Sequence, residues 1–284
     1  MIDLITVVFQ EELHFLKIQA RSIELYTRTQ DIGNIYVVVN DVDSVVDLVD
    51  PVWYGTHQAK VKIVPYSKWN FGADRLNGWQ SQQLCKLLAA SEASSAWSMC
   101  LDAKTWFIRP LDLSKLFDKQ QRVNSGALPV HPMFTNSRQF LERYYNISMP
   151  KIIGPAGAGT VFHSATVQAL VNSFGDFMEF FKTNVANTNA ITEFHLYSSF
   201  VLARNGTYNK LYNKTQYYSC YNLAHWELDK FDSVYHGYVH DDRALTASIH
   251  RKAYPLLSAK QIRRWQKFLA QKGLNISNIL GAAK

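Results

Sequence analysis

The sequence contains no apolar run approaching the ~20 residues that a membrane-spanning helix requires. It has only three cysteines, Cys85, Cys100 and Cys220. They are widely spaced and odd in number, which excludes a disulfide framework or a cysteine-rich zinc site and fits reduced thiols. No G-x-x-x-x-G-K-[ST] stretch is present, so there is no P-loop. Gly154, Gly157 and Gly159 are spaced G-x-x-G-x-G, the wrong order for a dinucleotide fingerprint. They also precede a β-branched run, whereas that fingerprint follows a strand and opens a helix. G-x-S-x-G is missing, and no cysteine has a histidine partner in sequence, so hydrolase chemistry is not indicated. His236 and His240 are four apart but lack an acid placed as a helical base. No basic stretch precedes the first apolar run, so a secretion signal is not expected and a cytoplasmic location is.

Acidic residues are missing from one region. None follows Asp242, whereas nine Lys and Arg do, which leaves 21 basic against 23 acidic residues before that point. The net charge of +7 therefore belongs to the C-terminal segment. Such a segment can meet phosphates, an anionic membrane or nucleic acid, or simply solvate a helix face. With 47% hydrophobic and 19% charged residues, the chain can bury a sizeable core. Leu4–Phe9 reads as a buried strand, residues 11–26 as an amphipathic helix, and Ile35–Val39 as a second strand. A strand–helix–strand start favours a parallel α/β sheet. Val61–Val64 suggests a third strand, and 79–93 a helix. The loop at 66–78 between them, where Gly72 and Gly78 bracket Asp74 and Arg75, is long enough to suggest function. Residues 207–240 are rich in tyrosine and give no clear period. Ser258–Leu280 reads as a helix with Ile262, Trp265, Phe268 and Leu269 on one face and basic residues on the other. The simplest partition is one domain over 1–257, followed by a basic amphipathic helix and tail over 258–284.

The chain is organised around Trp97–Pro110, WSMCLDAKTWFIRP. A short buried strand ends there in Asp102, with Lys104 two residues on. Open α/β sheets place ligands just past such strand ends. A carboxylate there can hold a ribose hydroxyl or a metal ion, and a lysine can neutralise a diphosphate leaving group. The bland alternative is an ion pair in a surface turn. Glu193, near a helix start on a stripe with Leu196, Tyr197 and Phe200, can serve as a general base if desolvation raises its pKa; the alternative is an acid bonded to the helix's free N–H groups. His131 and His250 each follow an expected strand. Arg251 and Lys252 beside His250 suit phosphate oxygens, although single histidines are more often structural.

Four segments in order, GWQSQQLCKLLAAS (78–91), MCLDAKTWFIRP (99–110), HPMF (131–134) and TEFHLYSSFV (192–201), resemble the motifs of an uncharacterised group of GT-A-like predicted glycosyltransferases. The resemblance spans residues 1–204, with a trace at Ser248–His250. It implies a GT-A fold: a single Rossmann-like mixed, mainly parallel sheet flanked by helices. It also implies a glycosyltransferase that moves a sugar from a nucleotide-diphosphate donor to a hydroxyl acceptor, which can be a glycan or lipid-linked. Donor binding falls to Asp102 and Lys104, with Gln83 and Lys86 on the preceding helix and Glu193 as candidate base, which favours inversion. Gln10, Asn40 and Asp41 at strand ends would border the nucleoside, with Arg75, His131, His250 and Lys252 around the donor.

Most GT-A enzymes place Asp-x-Asp at this strand end, and Lys104 stands here in place of the second Asp. An ammonium beside one carboxylate repels a divalent ion, so Mn²⁺ or Mg²⁺ is expected to matter weakly or not at all; Asp102 and His250 are the ligands if one binds. Two rivals remain: a nucleotidyltransferase, disfavoured because TVVFQEE lacks glycine, and a binding module that kept the fold and lost its metal motif. The basic helix over 259–284 allows peripheral membrane contact through Trp265 and Phe268, with packing against the domain as the alternative. Nucleic acid is not an expected partner.

Overall fold

Seven consecutive buried residues, Ile2–Val8, form β1 and set the plan of the molecule. Both faces of this strand are covered, so its sequence is a near-continuous apolar run and not an alternation. It lies in a five-stranded sheet with β2 (Ile32–Val39), β3 (Val61–Pro65), β4 (Trp97–Asp102) and β8 (Thr160–His163). The order is β3-β2-β1-β4-β8, with the first four strands parallel and β8 antiparallel to β4. The parallel part is what the strand–helix–strand opening favours, and the mixed, mainly parallel sheet is the one the resemblance implies. The structure is a computed structural model and describes residues 1–69, 76, 78–156, 158–188 and 191–274.

Helices cover both faces of the sheet, as a parallel sheet demands. α1 (Leu13–Tyr26) connects β1 to β2. α2 (Gly78–Ser91) precedes β4 and is buried along nearly its whole length, from Gln80 to Ala90. After β4, a two-residue turn leads into β5 (Thr105–Phe107), which leaves the central sheet. A small helix, α3 (Leu113–Leu116), and the hairpin of β6 (Ala127–Pro129) and β7 (Lys151–Ile153) follow, with α4 (Thr135–Tyr145) between the hairpin strands. α5 (Ser164–Asn172), α6 (Phe177–Thr188) and α7 (Glu193–Asn205) come next, and all three pack on α2. α7 begins at Glu193 because Thr192 caps it, its Oγ1 accepting from the His195 amide at 3.3 Å.

The tyrosine-rich stretch contains β9 (Ser219–Leu223) and α8 (Phe231–His240). β9 pairs with β10 (Ala244–Ile249), and β10 pairs with β5, giving a second sheet of order β5-β10-β9. The last described helix is α9 (Ala259–Gln271), started by a capping box between Ser258 and Gln261. Its apolar face is not available to a bilayer. Trp265, Phe268 and Leu269 are 2%, 3% and 0% exposed. Trp265 packs on Trp106 of β5 and Tyr238 of α8, with ring centroids 6.1 and 4.9 Å away. Burial of two aromatic rings against the second sheet is worth more to the helix than any surface position, and it leaves only the basic face outward. Among the described residues no helix is long and apolar enough to cross a membrane.

Candidate active site

β1 and β4 end side by side, with Val7 opposite Asp102. The turn that follows is held from below by Gln19 of α1, which is fully buried. Its Nε2 donates to the carbonyls of Asp102 (2.7 Å) and Thr105 (2.8 Å), and its Oε1 accepts from Thr6 Oγ1 (2.7 Å). The two carbonyls and the Thr6 hydroxyl are thereby satisfied inside the core. The turn cannot shift without breaking them.

Asp102 is the centre of a chain of charges. Lys86 of α2 is 3% exposed, and its Nζ lies 2.9 Å from Asp102 Oδ1 and 2.8 Å from Glu193 Oε1. Lys104 Nζ approaches the other oxygen, Asp102 Oδ2, at 3.2 Å. Burial alone would push the Asp102 carboxyl up, but Lys104 and Lys86 outweigh it and hold it well below the usual carboxylate range. Burial likewise works against the charge on Lys86, and Asp102 and Glu193 overcome it, so this lysine stays protonated. Burial raises Glu193 above the ordinary value despite Lys86. Its second oxygen, Oε2, is buried without a hydrogen-bond partner among the described residues.

Three further groups border this chain. His250, at the end of β10, is pushed down to about 4 by burial and by the charges of Lys104 and Arg251 nearby. It is therefore a neutral imidazole at pH 7, not a cationic phosphate clamp. Its ring lies 4.7 Å from that of His225, and Trp226 flanks His225 at 4.6 Å. Arg251 pairs with Glu11 and lies 3.8 Å from Glu12 Oε1. Glu12, 4% exposed, interacts electrostatically with Lys104, Asp102, Arg251 and Lys86.

The structure thus brings Asp102, Lys104, Lys86 and Glu193 into direct contact, with His250 beside them. Asn40 and Asp41 sit at the end of β2. Asn40 Nδ2 donates to Ser81 Oγ of α2 at 2.8 Å, and Asp41 Oδ2 accepts from the Gln10 amide at 3.1 Å. The Gln10 side chain is exposed, and Gln83 is buried on α2. His131 is exposed and caps its own short turn, its Nδ1 accepting from the Met133 amide at 3.3 Å. Lys252 is exposed as well. Among the described residues, no hydrogen bond or ion pair joins the side chains of His131 or Lys252 to the Asp102 cluster. Arg75, with most of the 66–78 loop, lies outside the described residues. Glu12 and Gln19 were not legible as site residues. In sequence Glu12 is a helix-start acid and Gln19 a mid-helix polar residue; only the packing of α1 against β5 and the β4–β5 turn gives them their places.

The resemblance raises a divalent ion at this strand end, and the side chains present are a poor donor set for one. Both oxygens of Asp102 face ammonium groups, and among the described residues no group of three His, Cys, Asp or Glu is arranged to hold a metal. A family model matches residues 5–269. The chain belongs to DUF6492, a family of unknown function. No curated protein matches it. Among solved structures, the DUF6492 chain is similar to the galactosyltransferase LgtC in complex with donor and acceptor sugar analogues. The TM-score is 0.51 over 96% of this chain and 95% of LgtC, at 11% identity. An active-site mutant of LgtC gives 0.50 at 10% identity, over 95% of this chain and 96% of its own. The DUF6492 chain therefore has the GT-A fold of these enzymes.

Proposed function

We propose that this DUF6492 protein is a glycosyltransferase that takes a nucleotide-diphosphate sugar and passes the sugar to a hydroxyl acceptor. The observation that carries this reading is the Lys104–Asp102–Lys86–Glu193 chain, placed just past the end of β4 where the fold puts its ligand. Asp102, kept ionised by two lysines, accepts hydrogen bonds from sugar or ribose hydroxyls. Lys104 faces the diphosphate and stabilises the charge that develops on it as the glycosidic bond breaks. Lys86 and Glu193 lie behind Asp102 and fix its orientation, so Glu193 is first a positioning residue. Acting as the base of an inverting reaction would require its Oε2, buried in this structure, to be uncovered to the acceptor hydroxyl. The strand ends at Gln10, Asn40 and Asp41 border the nucleoside. The neutral His250 offers a hydrogen bond and not a charge, and Gln83, Arg75, His131 and Lys252 stay candidates for the donor's surroundings.

In this reading Lys104 does the work of a metal ion, so activity is independent of Mn²⁺ and Mg²⁺. A nucleotide-sugar panel read by thermal shift, with and without Mn²⁺, tests both statements. At least one donor is expected to stabilise the protein in EDTA. Loss of all activity in EDTA, with recovery on Mn²⁺, overturns metal independence; no stabilisation by any donor overturns the enzyme reading. The anomeric configuration of the product decides inversion.

A further inference from the structure

The charges around Asp102 cancel. Of the groups that face the interior of the site, Asp102, Glu193 and Glu12 are three carboxylates, and Lys86, Lys104 and Arg251 are three cations; a fourth carboxylate, Glu11, pairs with Arg251 from the solvent side, where water screens it. A ligand with two or more negative charges meets no net positive charge there. Lys86 is buried between two carboxylates and cannot turn outward. Arg251 is the most exposed of the three cations. Its side chain is 41% exposed, and it is held by the exposed Glu11 and the buried Glu12.

Glu12 is the weak point of this arrangement. Its side chain is 5% exposed, and it makes no capping bond to α1 although it stands at the helix start. Oε2 is buried with no hydrogen-bond partner among the described residues. Oε1 is 3.8 Å from Arg251, too far for a hydrogen bond. A buried carboxylate without hydrogen bonds costs far more than a buried carboxylic acid. The groups facing it are Lys104 and Asp102 from the β4–β5 turn, Lys86 from α2 and Arg251 after β10, with Glu11 on the far side of Arg251. Burial raises its pKa, and Asp102 adds to that, against Lys104, Arg251 and Lys86.

We propose that Glu12 is a proton-linked positioning residue: when a multiply charged anion enters, Glu12 takes up one proton from solvent and Arg251 turns from it to the anion. The three carboxylates then count as two, and the site supplies one net positive charge. This gives a centre without a metal a way to balance a diphosphate. It rests on the donor-site reading only for the identity of the anion.

Isothermal titration of the full chain in buffers of different ionisation enthalpy counts the protons taken up. The probes are inorganic sulfate and UDP-glucose, whose charges do not change between about pH 5 and about pH 8, the window in which histidine is the usual titrant. Uptake approaching one proton per bound anion is expected in the wild type, with affinity falling by up to about tenfold per pH unit as Glu12 ionises. Glu12→Gln, which mimics the neutral acid, is expected to bind with no proton uptake and a flat pH profile; Arg251→Gln is expected to weaken binding in both backgrounds. No uptake in the wild type, measured without any variant, overturns the proposal. Equal uptake in Glu12→Gln overturns it too, because the proton then belongs to another group, Glu193 or a histidine. Sulfate binding with uptake but no response to any nucleotide sugar keeps this proposal and ends the donor reading. UDP-glucose binding without uptake does the reverse, and binding of neither probe overturns the proposal.

Discussion

Lys86 shows what a buried charge does when it has two partners. Its ammonium stays charged because Asp102 and Glu193 lie 2.9 and 2.8 Å away. Replacing it with methionine keeps the volume and removes the charge. Asp102 still has Lys104, but Glu193 is left buried and alone. Such a loss costs about 3–5 kcal/mol, to be read by urea denaturation. The pH dependence has a definite sign. In Lys86→Met, Glu193 has lost its lysine, so its folded pKa lies further above its unfolded value. A raised carboxyl contributes stability that is present below the unfolded pKa and lost as pH rises through the folded one. The penalty of Lys86→Met should therefore be smallest in acid and grow toward neutral pH; a penalty that shrinks as pH rises contradicts this. Lys104→Asp asks a different question. It places a second carboxylate at the strand end and removes one ammonium, so the variant, unlike the wild type, is expected to gain a thermal shift with Mn²⁺.

At the scale of elements, the two ends of β1 are held in different ways. The end at the candidate site is held by charge and by Gln19. The other end is held by one carboxylate, Asp3, which is fully buried. It accepts from the amides of Asn34, Ser94 and Ser95 at 2.8, 2.8 and 2.9 Å, and from the Ser95 hydroxyl at 2.7 Å. It thus ties β1 to β2 and to the segment entering β4. Gly33 is needed there, since a Cβ would stand 2.3 Å from Asp3 Oδ1. Asp3→Ala leaves these donors without an acceptor in the interior and should cost about 2–5 kcal/mol in denaturant titrations, with ligand affinity unchanged. α9 is held by its aromatic face. Trp265→Ala should cost about 3–5 kcal/mol, the usual range for a buried tryptophan. If the cost is under about 1 kcal/mol, the helix is not part of the core.

For the whole molecule, sequence pattern was most informative where local chemistry decides structure. β1, β2 and β4 are buried on both faces, so they appear as apolar runs, and the parallel sheet follows from the helices between them. Asp102 and Lys104 stood out because charge ends an apolar run abruptly. The stretch 207–240 was opaque because its tyrosines serve distant partners. Tyr218 donates to the Gly159 carbonyl at 2.7 Å, and Tyr212 to the Val161 carbonyl at 3.0 Å, so their positions follow tertiary contacts and no period. Gly159 itself, in the glycine-rich turn, has a φ of +89°, and a Cβ would meet Cys220 Sγ at 2.5 Å. The fold by itself requires glycine there. Glu12 stayed hidden for the same reason as the tyrosines: nothing adjacent in sequence announces that α1 starts beside the end of β4.

One ammonium group also bears on the order in which the molecule opens. Lys86 ties α2, the end of β4 and the first turn of α7, although these segments are far apart in the chain. Segments that share a buried contact open together. Hydrogen-bonded backbone amides of α7 from Leu196 onward should therefore exchange with deuterium at the rate of those in α2. In Lys86→Met the two rates should separate, with α7 exchanging faster and α8, which lacks this tie, keeping its rate. The site's charge chain would then also act as a lock between distant parts of the sequence.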